Sequence, residues 1–247
     1  MFTEENKGAG AARNRGLTEA TGKYMLFLDC DDFFEPDMVQ LAYEKAEEQG
    51  AEIVIYKSDQ YNMDSGEFVY ENWAMIEWAL PPYEPFGYRQ ISTNIFKAFV
   101  GWAWDKLYLR EFVVKNDLKF QEQRTTNDAL FVFSALVLAE KISTVRKILI
   151  HRRVDTADSL SKTREKSWDN FYRMLLALRQ FLKDRGKWNE LEKDFVNYAL
   201  HFSLWNYNTL AEPTKTKLRN KLVSEWFEEL GIRQRHKAVS YTHLTLP

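Results

Sequence analysis

The stretch YMLFLDCDDFFEPD, residues 24–37, decides the fold because a hydrophobic run ends there in a group of carboxylates. Residues 24–28 are apolar and include two aromatic rings, which is typical of a strand buried on both faces. Asp29, Asp31 and Asp32 follow at the carboxyl end of this predicted strand. Ligands bind at that edge in open α/β sheets, so the stretch predicts a binding site there.

The three neighbouring carboxylates predict a site for a divalent cation. Their negative charges repel one another unless a cation holds them, and hard oxygen ligands suit Mn²⁺ or Mg²⁺. We assign the cation to Asp29 and Asp31. The alternative is that the acids cap the helix that follows Pro36, which fits Asp32 better than the two earlier residues.

The composition indicates a globular protein of one large or two small domains. The chain has 247 residues, of which 45% are hydrophobic and 28% are charged. A net charge of −2 lacks the basic excess of a nucleic-acid binder. The single cysteine, Cys30, cannot form an internal disulfide, which indicates a reducing, cytoplasmic location. The sequence contains no 18-residue apolar span and no signal segment.

A glycine-containing turn and a helix precede the acidic stretch, in NKGAGAARNRG, residues 6–16. Gly8 and Gly10 let the backbone approach a ligand closely, and the N–H groups at the start of a helix attract anions. Arg13 and Asn14 lie in the first two turns, where a guanidinium can bind a diphosphate through parallel hydrogen bonds. The alternative is a plain loop followed by a surface helix.

Together, NKGAGAARNRG and TGKYMLFLDCDDFFEPD resemble the middle of a family 2 glycosyltransferase, an inverting enzyme that uses a nucleotide-diphosphate sugar. In that family an Asn-x-Gly turn leads into an Ala-Arg-Asn-x-Gly helix, and a hydrophobic strand ends in an Asp-x-Asp metal motif. The similarity continues through residues 102–160. It implies an α/β fold of GT-A type, a Rossmann-like mixed sheet followed by a helical C-terminal region. The first strands of that sheet are lacking, so we expect an N-terminally truncated fragment.

The resemblance also implies which residues bind the donor. We expect one of Arg152 and Arg153 to meet the diphosphate and the other to face solvent. His151, just before them, is more often a structural residue than a metal ligand. The donor-binding residues implied by the resemblance are Asn6, Gly8, Arg13, Asn14, Asp29, Arg152 and Arg153.

Asp128 is the candidate general base. Thr126 or Asn127 is predicted to cap the helix that follows, which places Asp128 in the first turn, where the helix dipole favours its ionised form. Asp128 resembles the Asp of a Glu-Asp pair that accepts the acceptor proton in the family, with Asn127 in place of the Glu. The alternative is a charge at a helix start without a chemical role.

Two tryptophans stand beside charged residues in GWAWDKLYLREF, residues 101–112. Aromatic faces next to polar groups suit sugar rings, although Trp102 and Trp104 fit a strand in the core equally well. The resemblance favours Trp104, Asp105 and Lys106 on the acceptor side, with a saccharide or a lipid-linked acceptor.

We predict three regions: residues 1–158 as the glycosyltransferase core, 159–237 as a helical region and 238–247 as a non-native tail. Helical spacing runs through residues 38–50, 168–182 and 191–202, and residues 51–61 form a predicted strand. Residues 213–237 hold seven Lys and Arg against three Glu. This excess is compatible with peripheral association with the inner face of the membrane, or with a solvated helix face.

The resemblance implies sugar transfer with inversion in the synthesis of cell-surface polysaccharides. A non-catalytic carbohydrate-binding or interaction fragment is the first alternative. A metal-dependent phosphatase also begins from a strand that ends in Asp-x-Asp. That class has Gly and a small residue next, where this chain has Asp32 and Phe33.

Overall fold

A computed structural model of the chain describes residues 5–154 and 160–232. The chain divides into two compact units, Met1–Lys162 and Thr163–Pro247. The predicted boundary at residue 158 and the predicted tail, 238–247, fall outside the described residues.

The first unit is built on a mixed six-stranded sheet. Its strands are β1 (Tyr24–Leu26), β2 (Phe33–Phe34), β3 (Ile53–Asn62), β4 (Phe68–Tyr70), β5 (Lys106–Leu109) and β6 (Ile142–Val154). Its helices are α1 (Ala9–Glu19), α2 (Met38–Gln49), α3 (Ile95–Ala98), α4 (Arg110–Lys115) and α5 (Ala129–Leu138). The strand order is β1-β5-β3-β6-β2, with β4 paired to β3. Strands β3 and β6 are parallel and the other pairs are antiparallel, which agrees with the predicted α/β class.

The acidic stretch differs from its prediction in the length of its strand. Strand β1 ends at Leu26, and Leu28 is 40% exposed, so the predicted run of fully buried residues is wrong at its end. Within this stretch, strand β5 pairs only with Tyr24–Leu26, and the next residue, Phe27, packs in the core with its ring centre 4.8 Å from that of Phe120. A turn then carries the acids, with the backbone N–H of Asp32 donating to Asp29.

Helix α2 and strand β3 confirm the sequence pattern. Met38, Ala42 and Ala46 are buried at the predicted spacing, and the helix ends at Gly50 with a φ of 58°. Glycine adopts this left-handed conformation without strain, which explains why the helix stops there. Strand β3 follows in the middle of the sheet, and its first four residues are buried.

Helix α1 packs closely against the segment that precedes α5. A Cβ atom on Gly10 would lie 2.1 Å from the carbonyl oxygen of Gln121, so only glycine fits at this contact. The carboxamide of Asn14 accepts a hydrogen bond from the backbone N–H of Phe120 and donates one to its carbonyl. These contacts fix the helix that carries Arg13.

The second unit is helical, as predicted. Its helices are α6 (Asn170–Asp184), α7 (Trp188–Thr209), α8 (Thr214–Lys221) and α9 (Phe227–Glu229). A π-helical segment, Leu222–Trp226, joins α8 to α9, and the Trp226 ring stacks on Trp168 and Tyr172. Within residues 5–154 and 160–232, no helix combines the length and hydrophobicity needed to cross a membrane.

The substitution Gly10→Ala should lower the free energy of unfolding by about 1–3 kcal/mol, because the added methyl group collides with the Gln121 backbone. Gly16 is the matched control, since it lies in the same helix and a Cβ there would meet nothing within 4 Å. Gly16→Ala should raise stability by about 0.5–1 kcal/mol. Urea unfolding measures both, and equal effects of the two substitutions would contradict the predicted contact.

Candidate active site

The acid turn, Asp29–Asp32, joins β1 to β2. One carboxylate oxygen from each of Asp29, Asp31 and Asp32 lies within 4.8 Å of the other two. Burial raises the pKa of Asp32 to about 6. A hydrogen bond from the backbone N–H of Arg153 opposes this shift, and the charges of Asp31 and Asp29 add to it.

The donor set of the acid turn fits a divalent cation. It consists of carboxylate oxygens close enough together to share one ion, which is the chemistry that Mg²⁺ and Mn²⁺ prefer. A cation there would also relieve the repulsion that contributes to the raised pKa of Asp32. Asp31 is exposed and thus accessible to a ligand from solvent.

Arg13 connects the acid turn to the start of α5. Its Nη2 donates to Oδ1 of Asp29 at 2.6 Å, and its Nη1 donates to Oδ1 of Asn127 at 2.8 Å. The Arg13 side chain is 14% exposed, and its guanidinium lies 5.6 Å from the centre of the Phe120 ring. In this structure the guanidinium joins the acid turn, through Asp29, to the residue before Asp128. Contact of Arg13 with a diphosphate stays a prediction.

Asp128 is the N-cap residue of α5, so the helix begins one or two residues later in the chain than predicted. The prediction that Thr126 or Asn127 caps this helix is wrong. Thr126 has a φ of 57°, and the side-chain oxygen of Asn127 accepts from Arg13. In the described structure the Asp128 carboxylate makes no capping hydrogen bond to the helix.

The electrostatic surroundings of Asp128 tie it to the rest of the site. Burial raises the pKa of Asp128, and the positive charge of Arg13 opposes that shift. The charges of Asp29 and Lys106 also act on it, in opposite directions. Asp128 therefore lies within electrostatic reach of the acid turn, although the two are about a hundred residues apart in sequence.

The other predicted donor residues occupy the turn before α1 and the end of β6. Asn6 accepts a hydrogen bond from the backbone N–H of Gly8 at 3.0 Å, and both residues are exposed. Gly8 has a φ of 89°, a conformation that favours glycine. The side chain of Asn14 is used in holding α1, as described above. Contact of any of these residues with a donor stays a prediction.

Arg152 and Arg153 point to different partners. Nη2 of Arg152 donates to Oε1 of Glu71 at 2.8 Å, and the Glu71 side chain is 1% exposed. Arg153 is exposed, its guanidinium lies 5.8 Å from the centre of the Phe33 ring, and its backbone N–H donates to Asp32. Arg153 is thus the more accessible of the two. Sequence reasoning missed Glu71, because it lies in an irregular loop without a motif.

His151 holds the downstream end of the acid turn. Its Nδ1 lies 2.7 Å from Oδ1 of Asp59, and its Nε2 lies 3.0 Å from Oε1 of Glu35. Its ring stacks on Phe33 with 4.8 Å between the ring centres. Both ring nitrogens are engaged, in agreement with a structural role. The sequence did not indicate Asp59 or Glu35 as partners.

The predicted acceptor residues are buried. Trp104, Asp105 and Lys106 are 4%, 2% and 0% exposed. Nζ of Lys106 donates to Asp105 and also to the carbonyl of Trp102 at 2.8 Å. Burial raises the pKa of Asp105 to about 6 and lowers the pKa of Lys106. Their contact with an acceptor stays a prediction, and the adjacent Trp102 is partly exposed.

The substitution Lys106→Met should lower the free energy of unfolding by about 3–5 kcal/mol, because it leaves the buried Asp105 carboxylate without its ion pair. Lys119 is the matched control, since its ion pair with Asp117 is exposed on both sides. Lys119→Met should change stability by about 0–1 kcal/mol. Thermal or urea unfolding compares the two, and a small effect at Lys106 would show that the buried pair does not support this segment.

The chain is similar in sequence to known glycosyltransferases. Residues 1–113 match the family model of glycosyl transferase family 2. The chain is 25% identical over 227 residues to the putative glycosyltransferase EpsH of Bacillus subtilis, which covers 90% of this chain and 64% of that protein. It is 26% identical over 210 residues to the cholesterol galactosyltransferase of Borreliella burgdorferi, which covers 82% of this chain and 57% of that protein. The chain thus spans less than two thirds of these relatives.

A solved structure shares the fold. The crystal structure of S. aureus TarS 1–349 in complex with UDP-GlcNAc superposes with a TM-score of 0.65 and 18% identity. The match covers 94% of this chain and 66% of that chain. Residues 1–113 of the chain are thus similar to glycosyl transferase family 2, and the chain has the GT-A type fold that its motifs predicted.

Proposed function

We propose that this chain transfers a sugar from a nucleoside-diphosphate donor to a hydroxyl group of a saccharide or lipid-linked acceptor, with inversion. The observation that carries the proposal is the link made by Arg13, which bonds both Asp29 and Asn127, the neighbour of Asp128. A cation site and a candidate base therefore share one region. The glycosyltransferase names of the relatives and the UDP-GlcNAc in the TarS structure support the same chemistry.

On the donor side, Asp29 and Asp31 would hold Mn²⁺ or Mg²⁺, which when bound would stabilise the negative charge that develops on the departing diphosphate. Arg13 and the exposed Arg153 add positive charge near the same turn. The Asn6–Gly8 turn leads into α1, and the start of a helix favours anionic groups. These residues would orient the donor phosphates.

On the acceptor side, Asp128 would act as the general base. The acceptor oxygen attacks the anomeric carbon, its proton moves to the Asp128 carboxylate, and the bond from the anomeric carbon to the diphosphate oxygen breaks. One in-line displacement of this kind inverts the anomeric centre. The raised pKa of Asp128 makes it a stronger base than an exposed aspartate, while the charges of Arg13 and Lys106 favour its ionised form.

We also propose that the acceptor belongs to cell-surface polysaccharide or glycolipid synthesis at the inner face of the membrane. Helix α8 carries Lys215, Lys217, Arg219 and Lys221. Basic side chains are attracted to anionic lipid surfaces, where lipid-linked acceptors are found. A peripheral location of this kind would bring the enzyme to its acceptor.

Asp31→Asn should weaken Mn²⁺ binding at least ten-fold, because it removes one charged ligand of the acid turn. Asp31 is exposed, so the substitution leaves the Arg13–Asp29 ion pair in place. Titration calorimetry with Mn²⁺, and then with UDP in its presence, measures the effect. The matched control is Asp64→Asn in the exposed turn between β3 and β4. Unchanged Mn²⁺ affinity in Asp31→Asn would exclude this cation site.

Asp128→Asn should reduce sugar transfer by about 10²–10⁴-fold, because the amide cannot accept the acceptor proton. Binding of Mn²⁺ and UDP should remain, which separates the base from the donor site. Transfer of radiolabelled sugar to p-nitrophenyl glycosides measures activity. In the wild type, kcat/KM should rise with pH through a pKa above the ordinary aspartate range, since burial raises the pKa of Asp128. More than a tenth of wild-type activity in Asp128→Asn would disprove the assignment.

A further inference from the structure

A group of tryptophans lies at the surface of the first unit, beside the candidate site. Trp73 is 49% exposed, and its ring centre lies 5.1 Å from that of Trp102, with the two rings inclined at 72°. Trp102 stacks on the buried Trp104 at 4.6 Å, and the guanidinium of Arg152 lies 5.2 Å from its ring centre. Since Trp104 and Arg152 both cover Trp102, Trp73 provides the open aromatic surface. We call Trp73, Trp102 and Arg152 the tryptophan platform.

Hydrogen bonds to the buried Glu71 hold Arg152 in place. Glu71 binds Arg152 and also accepts hydrogen bonds from Ser58 at 3.1 Å and Gln60 at 2.7 Å. The Glu71 carboxylate is therefore fixed from three sides, and it fixes the guanidinium in turn. A group held in this way loses little conformational freedom when a ligand binds.

The two tryptophans stand on segments that are joined through the backbone. Ala74 follows Trp73 in the chain, and its carbonyl accepts a hydrogen bond from the backbone N–H of Val100 at 2.9 Å. On the other side, Lys106 donates to the carbonyl of Trp102. The relative position of the two rings is thus set by the fold.

The platform lies next to both halves of the candidate site. Gly101 precedes Trp102, and a Cβ on Gly101 would lie 3.1 Å from the Cβ of Ala129, the residue after Asp128. The charge of Arg152 also acts on Asp32 in the acid turn. The segment that carries Trp102 therefore packs against the start of α5, one residue from the candidate base.

We propose that Trp73 stacks against the terminal pyranose ring of a saccharide acceptor, and that Arg152 donates hydrogen bonds to its hydroxyl groups. Sugar rings present C–H faces to aromatic rings and hydroxyl groups to polar neighbours, and the platform offers both. The Arg152 side chain is 27% exposed, so part of its guanidinium is open to a ligand. A lipid chain would gain nothing from a guanidinium and a buried carboxylate. The assignment to the acceptor rests on the proposed glycosyl transfer.

Direct binding tests the platform without relying on turnover. The probes are methyl glycosides of glucose, galactose and N-acetylglucosamine, measured with the wild-type chain by saturation-transfer NMR and tryptophan fluorescence. At least one glycoside should bind, Trp73→Ala should weaken that binding about ten-fold, and Trp73→Phe should weaken it less. Mn²⁺ and UDP affinity should not change in either variant.

Trp78→Ala is the matched control, because Trp78 is 78% exposed and lies further along the same loop. It should bind the glycosides as the wild type does. The proposal would be overturned if Trp73→Ala bound the glycosides as tightly as the wild type, or if the wild type bound none of them. It would also be overturned if the wild type preferred lipid vesicles to glycosides and Trp73→Ala lost that vesicle binding. Intact glycoside binding without any sugar transfer would instead contradict the proposed function and leave the platform standing.

Discussion

The ion pair between Arg13 and Asp29 organises the first unit around its site. It lies where three independent parts of the chain meet: helix α1, the acid turn and the segment that starts α5. Each part is positioned by its own packing, with Gly10 against the Gln121 backbone and Phe27 against the Phe120 ring. A guanidinium is suited to this place because it donates in two directions at once and keeps its charge when it is largely buried. Without it, a carboxylate and an amide would face each other across the site without a shared donor.

The elements that the sequence predicted well are those with a strong local signal. Helix α2 shows its buried stripe and its terminal Gly50 in the sequence, and α7 and α6 follow the same periodicity. The acid turn was also predictable, since charge after an apolar run is visible without a structure. The length of β1 was not, because it depends on how many residues pair with β5, a strand distant in sequence that, within this stretch, pairs only with Tyr24–Leu26. Local pattern cannot report such a contact.

The residues of the candidate site also divide into those with a local sequence signal and those whose partners only the fold determines. Asp29, Asp31 and Asp128 were predicted as site residues because their residue types and positions suit the chemistry, whereas the partners of Arg152 and His151 were not predicted. Glu71, Asp59 and Glu35 belong to no motif in the sequence. Only the fold brings Glu71 to the Arg152 guanidinium, and Asp59 and Glu35 to the His151 ring. The pair Asp105 and Lys106 shows the opposite case. Two adjacent charges indicate an exposed surface, yet each satisfies the other inside the core.

The anchoring of the acid turn by Phe27 at one end and His151 at the other has a thermodynamic consequence. Because folding brings the carboxylates together, the unfolded chain has no comparable site, and an ion that binds them favours the native state by mass action. The fraction of the protein with a bound ion and its free energy of unfolding would then change together. Burial and the mutual repulsion of the acids raise the pKa of Asp32, and a bound cation would relieve that repulsion and so add to the stability of the folded chain.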